Sequence, residues 1–205
     1  MKNIFLLFSL PLMILFTACS KKNESQEKDT SVSVTQTTET NISDAVQESR
    51  QSSFRLTDID DRELNITIEN NRIVFHDIKS PLVLVNFFAT WCPPCRSELP
   101  YLSQIQKKYS KNLFVVGILV NDDQNISQLR DFMEMHGANF YISNAGDNAG
   151  FSKHIINALQ LPENFPIPLS VLYSKGKPYR HYEGAMPIEM LESEVKQALK
   201  NLQGS

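Results

Sequence analysis

The chain has 205 residues, a formal net charge of −3 and 41% hydrophobic residues. That length fits one domain with added segments, and the apolar content suffices for one core. The weakly acidic balance, without a basic patch interleaved with aromatics, argues against nucleic acid as a partner.

Lys2 opens a short positive stretch, and residues 4–16 form an apolar run broken only by Ser9 and Pro11. The run is shorter than the roughly 20 apolar residues a membrane span needs, and it fits the core of a secretory signal peptide. Leu15-Phe16-Thr17-Ala18-Cys19 follows and resembles the bacterial lipobox, with Phe16 departing from the usual Leu. The resemblance implies removal of residues 1–18 and lipidation of Cys19; plain cleavage near Ala18 is the alternative. Two or more acyl chains would make such an anchor stable.

Residues 20–50 hold 11 Ser or Thr and no aromatic, Pro or Gly. Such a stretch buries too little to offset its ordering entropy and reads as a disordered tether. As a coil it would span on the order of 30 Å. The predicted organisation is therefore a signal peptide over 1–18, a lipidated N-terminus and linker over 19–51, and a folded domain over 52–205.

The folded part opens with the alternating runs Leu64-Ile66-Ile68 and Ile73-Phe75, split by Asn70-Asn71. This predicts a β-hairpin. Residues 82–88, LVLVNFF, predict a strand buried on both faces. A helix is predicted from Cys92 or Pro93 to about Tyr109, with Leu99, Leu102 and Ile105 inward. Next come a strand over 113–120 and a helix over 126–136. Ile126, Leu129, Phe132 and Met133 share one face of that helix, and Gly137 stops it. A strand over 140–143 and a helix carrying Phe151, Ile155 and Leu159 follow. Residues 169–173 and 178–182 flank Ser174-Lys175-Gly176-Lys177 and predict a second hairpin. The last helix starts near Pro187 and carries Ile188, Leu191, Val195, Ala198 and Leu202. The order ββ, βαβαβα, ββα predicts an α/β domain. Its central mixed sheet has a parallel middle and flanking helices.

The chemistry concentrates in Phe87-Phe88-Ala89-Thr90-Trp91-Cys92-Pro93-Pro94-Cys95. A buried strand delivers a Cys-x-x-Cys to the start of a helix. Free N–H groups and the positive end of the helix dipole stabilise a thiolate there. A cysteine so placed has its pKa lowered from about 8.5 to roughly 3.5–7.5. Cys92 is expected to be exposed and to attack a partner's disulfide; Cys95, one turn inward, resolves the mixed disulfide. Pro93 and Pro94 fix φ and withhold two N–H donors from the Cys92 sulfur.

Residues 84–102, LVNFFATWCPPCRSELPYL, closely resemble the thioredoxin superfamily, in its TlpA/ResA/CcmG-like envelope branch. The resemblance implies a thioredoxin-like fold with an N-terminal hairpin and a central αβ insertion. It implies that Glu98 handles the proton of Cys95, against a plain reading as a first-turn glutamate. Asn86 stands where cytoplasmic thioredoxins carry a buried Asp, which leaves Glu98 the better base. Pro100 matches the family's proline within the helix. Trp91, Pro93 and Pro94 are assigned to the partner-contact surface. The family's cis-proline is matched to Pro168 rather than Pro166, which would present the Ile167 backbone to a substrate. Leu169 departs from the more usual Thr at the next position.

The resemblance implies an envelope-facing protein dithiol–disulfide oxidoreductase. It would act as a reductant of client proteins with cysteines or disulfides, apocytochrome c among them. A membrane thiol conduit would supply its electrons. It implies no cofactor. A disulfide-donating oxidant, a peroxiredoxin-like antioxidant and a non-catalytic binding module are the alternatives. Peroxiredoxins place Thr three residues before the reactive cysteine, where this chain has Ala89. His76, His136, His154 and His181 show no metal-ligand spacing, so no metal is expected. Three triplets (Asn41-Ile42-Ser43, Asn65-Ile66-Thr67 and Asn125-Ile126-Ser127) each follow an acid two residues earlier. They resemble the extended sequon of bacterial N-glycosylation systems and mark Asn41, Asn65 and Asn125 as acceptor candidates.

Overall fold

A computed structural model describes residues 52–204. Cys19, Asn41 and the expected signal peptide and tether lie outside the described residues.

Eight strands form one sheet. They are β1 Ser52–Asp58, β2 Glu63–Glu69, β3 Arg72–Phe75, β4 Leu82–Phe88, β5 Leu113–Leu119, β6 Tyr141–Gly146, β7 Leu169–Ser174 and β8 Lys177–Glu183. Their spatial order is β3-β2-β1-β6-β5-β4-β7-β8. β4 pairs in parallel with β5, and β5 with β6; the remaining pairs are antiparallel. Four helices complete the fold: α1 Pro93–Lys108, α2 Ile126–Met135, α3 Asn148–Ala158 and α4 Ile188–Gln203. The fold is thioredoxin-like, and α2, β6 and α3 lie in chain order between β5 and β7.

The alternation of strand side chains divides the core between two faces of the sheet. Leu82, Leu84 and Phe88 pack with Leu99, Leu102 and Ile105 of α1, Leu129 of α2, and Leu191, Val195 and Ala198 of α4. Val83, Val85 and Phe87 pack on the other side with Phe151 and Ile155 of α3 and with Ile66, Ile68, Ile73 and Phe75. Every residue of β4 is buried. This places the end of β4, and the cysteines that follow it, on a rigid support.

The Asn70-Asn71 turn has both residues at positive φ (49° and 61°) and joins Glu69 to its partner Arg72. That backbone matches the twist of a two-residue hairpin, and asparagine tolerates it. Lys175 (48°) and Gly176 (77°) repeat the arrangement between Ser174 and Lys177. Gly176 also touches β3: its carbonyl accepts the Ile73 N–H at 2.8 Å. A Cβ at Gly176 would collide with the Ile73 carbonyl.

The expected N-terminal hairpin is β2–β3, and β1 adds to it as a further strand that pairs with β2 and with β6. Two expectations are corrected. Ile126 does not join the inward face of α2; it sits in the first turn, 48% exposed, while Leu129 is buried. Phe140 precedes β6, which runs on to Gly146.

Asp58 ends β1 as a buried carboxylate. Its Oδ1 accepts the N–H groups of Asp60 and Arg62, and its Oδ2 accepts the Arg62 guanidinium. The β1–β2 turn is built around that carboxylate.

Candidate active site

Cys92 is the N-cap of α1, with extended φ and ψ of −86° and 110°. Pro93 and Pro94 occupy the first two helical positions and carry no N–H. The first free helical N–H therefore belongs to Cys95, and it points at the Cys92 sulfur, 3.3 Å away. The two sulfurs are joined in a disulfide, with the Cα atoms 5.3 Å apart.

Cys92 is not exposed as expected: only 3% of its surface is open. The disulfide draws its sulfur against the wholly buried Cys95, and the Ile167 carbonyl oxygen lies 3.8 Å from the same atom. Exposure falls instead on the residues around the pair. Trp91 is 59% exposed, and Pro93 and Pro94 are exposed with it. The Trp91 indole N–H donates to the Asn121 carbonyl at 3.1 Å. The Thr90 N–H donates to Asp122 Oδ2. The 121–122 loop thus fixes the two residues before Cys92.

Pro168 is in a cis peptide with Ile167, whereas Pro166 is not. Pro168 precedes β7, which pairs with β4, so the Ile167 carbonyl is brought across the sheet to the sulfur.

Glu98 lies one turn beyond Cys95 and is only 4% exposed. Burial pushes its carboxyl up from 4.5 to about 7, against the hydrogen bonds from Asn86 and Met186 that pull it down. Asn86 Nδ2 donates to Glu98 Oε1 at 2.6 Å and to Ser170 Oγ at 3.0 Å. The Met186 N–H donates to Glu98 Oε2 at 3.3 Å. A first-turn glutamate held in solvent would keep an ordinary acidity; burial raises this one toward neutrality. Asn121, Asp122, Ser170 and Met186 had no local sequence signal, because each meets the site across 30 residues or more.

The remaining candidates lie elsewhere. Asn65 is an exposed residue of β2, between β1 and β3. Asn125 is the exposed N-cap of α2; its Oδ1 accepts the Gln128 N–H in a capping box. Among the described residues, no cluster of three His, Cys, Asp or Glu side chains could hold a metal.

The fold and the cysteine pair at its helix N-terminus define the class: a thioredoxin-like thiol–disulfide oxidoreductase. The chain belongs to the Redoxin family, whose model matches residues 60–172. It is similar to the thioredoxin-like protein YneN of Bacillus subtilis, 29% identical over 132 residues, covering 63% of this chain and 72% of that one. It is also similar to the thiol-disulfide oxidoreductase ResA of Bacillus thuringiensis subsp. konkukian, 30% identical over 130 residues, covering 63% and 70%. Among solved structures, it resembles a thiol:disulfide interchange protein of the thioredoxin family from Chlorobium tepidum. That match has 27% identity and a TM-score of 0.56, and it covers 72% of this chain and 93% of that chain.

Proposed function

We propose that this chain is a lipid-anchored, envelope-facing reductant of protein disulfides. Cys92 is its nucleophile, Cys95 its resolving thiol and Glu98 its proton acceptor. The observation that supports this most is the Cys92–Cys95 pair at the start of α1, one turn from a buried carboxyl poised near neutral pH.

In the reduced protein, the Cys92 thiolate is held by the Cys95 N–H and the helix dipole. It attacks one sulfur of a client disulfide, a mixed disulfide forms, and the other client sulfur leaves as a thiolate. Cys95 gives its proton to the Glu98 carboxylate and attacks the Cys92 sulfur. The second client thiolate leaves. Two electrons have passed to the client, and Cys92–Cys95 is the disulfide described above. Trp91, Pro93, Pro94, Ile167 and Pro168 surround the pair and form the contact face. A membrane thiol conduit returns the pair to the dithiol, and apocytochrome c is one client with the required chemistry.

The anchor at Cys19 and a tether over 19–51 would hold the domain, placed at 52–205, at reach from a membrane. No helix among the described residues is long and apolar enough to cross one. Asn41, in the expected accessible linker, is the first candidate glycan acceptor, with Asn65 and Asn125 behind it; Asn125 is an exposed helix N-cap and Asn65 an exposed residue of β2. A glycopeptide mass unchanged from the bare peptide in the native host would dismiss it.

Insulin reduction tests the enzymatic reading. The wild type is expected to turn over insulin with a thiol reductant, and Cys92→Ser is expected to give none. Equal turnover by both would refute it. The redox state of the pair in intact cells distinguishes a reductant, held as the dithiol, from an oxidant, held as the disulfide.

A further inference from the structure

Asn86 is the one polar residue of β4 and is wholly buried. Leu84 and Phe88, two residues to either side on the same face, pack against α1 and α4. The antiparallel register sets Asn86 opposite Ser170 of β7. Its Nδ2 donates to Ser170 Oγ at 3.0 Å and to Glu98 Oε1 at 2.6 Å. Its Oδ1 is buried and has no hydrogen-bond partner. An amide with one end unused is more costly here than the aliphatic side chains along the rest of the strand. Its place is explained by what its other end holds.

A proton acceptor carries its proton in one half of a cycle and lacks it in the other. As a carboxylate Glu98 only accepts hydrogen bonds; as an acid it needs an acceptor for its O–H. Its two oxygens are not equivalent. Oε2 faces the Met186 backbone N–H, which can only donate, so Oε2 is an acceptor in both states. The proton therefore belongs on Oε1, which faces Asn86. The Nδ2–H there suits the carboxylate and would oppose an O–H. A half-turn of the amide exchanges Nδ2 for Oδ1 with little change of shape. Oδ1 would then accept the Glu98 O–H on one lone pair and the Ser170 O–H on the other, since a hydroxyl donates as well as it accepts. The turn breaks no bond of Oδ1, which has none.

We propose that Asn86 is a positioning residue whose amide turns over when Glu98 takes up the Cys95 proton, so that one buried side chain holds Glu98 in both charge states. The inference rests on the proposed role of Glu98 and adds the residue that lets the transfer run both ways. The S–H bond of Cys95 breaks, an O–H bond forms at Glu98 Oε1, and the Cys95 sulfur keeps the electron pair with which it attacks Cys92. Reduction of the disulfide returns a proton to Cys95 and the amide to its donor setting. Little else bears on this proton. The titratable groups beside Glu98 on α1 are the two cysteines; Arg96, two residues away, does not share its face. β4, β5 and β7 carry no charged side chain. On α4, Glu192 pairs with Lys108 and Lys196, Glu194 pairs with Arg180, and Glu189 is exposed.

NMR of the isotope-labelled full chain in its disulfide form tests the turn, at roughly two pH units either side of the Glu98 pKa of about 7. On the alkaline side, a scalar coupling across the hydrogen bond from Asn86 Nδ2–H to Glu98 Cδ is expected. On the acid side that coupling should vanish as Cδ moves to its protonated shift. A coupling kept on both sides while Cδ titrates would overturn the inference and leave Glu98 as the proton acceptor. A Cδ that does not titrate in this range would overturn both. A kinetic arm uses Asn86→Leu, close in volume and without donor or acceptor. Stopped flow of the dithiol with a disulfide-linked peptide reads the resolving step as release of the second peptide thiol. The variant's acid limb should move up by roughly one pH unit, because the charge-assisted bond lost by the carboxylate outweighs the neutral bond lost by the acid. A rate lowered by the same factor at every pH would mark a merely structural role and overturn the inference.

Discussion

Replacing Glu98 by Gln should change the pH dependence of stability in a defined window. Glu98 binds its proton more tightly in the folded chain, at about 7, than in the unfolded one, at 4.5. Between those values the folded state holds more protons, so stability falls as pH rises and the loss is complete above about 7. At 1.36 kcal/mol for each pKa unit, the gap corresponds to roughly 3 kcal/mol. Gln cannot ionise, yet its amide oxygen can still accept from Asn86 or Met186. The variant should therefore lack this loss. Urea denaturation of the disulfide form, followed by circular dichroism at about pH 4 and about pH 8, measures it. The stability difference between Glu98→Gln and wild type should move in favour of the variant by about 3 kcal/mol across that range. Every other titrating group cancels in the difference. A difference that stays constant with pH would show that Glu98 ionises as a solvated carboxyl, and the proposal that it accepts a proton at neutral pH would go with it.

Three further substitutions test the framework of the site. Gly176→Ala forces a side chain onto a backbone at φ +77° and against the Ile73 carbonyl, and should cost roughly 1–3 kcal/mol in chemical denaturation. Asn125→Ala removes the capping box of α2 and should lower stability by about 1 kcal/mol, read as a lower melting temperature. Asp58→Ala strips the β1–β2 turn of the acceptor for two backbone N–H groups and the Arg62 side chain. It should destabilise by roughly 2–4 kcal/mol, measured by urea midpoint.

Much of the architecture was legible because its signals are local. Asn70-Asn71 marks a hairpin turn through the backbone that asparagine tolerates, and the unbroken apolar run of β4 marks a strand covered on both faces. The helix start at Cys92 was readable from two prolines and the cysteine spacing. β1 was missed because its outward residues (Ser53, Arg55, Thr57) are polar and its buried ones few, and because its partner β6 lies nearly 90 residues away. Ile126 misled because apolar character at a helix start says nothing about which side the preceding loop leaves open. At the site, Cys92, Cys95 and Glu98 carried a sequence signature. The burial that raises the Glu98 pKa did not, since Asn86 and the Met186 loop meet it from distant elements. The closing of Cys92 by Ile167 escaped for the same reason: an exposed flank of Trp and Pro does not reveal a covered sulfur.

The central claim is that the sulfur of Cys92, and not that of Cys95, makes the first bond to a client. Trapping tests it directly. In Cys95→Ser the attack can occur but cannot be resolved, so mixed disulfides through Cys92 should accumulate and be identified by mass spectrometry. Stronger trapping by Cys92→Ser, through Cys95, would contradict the account.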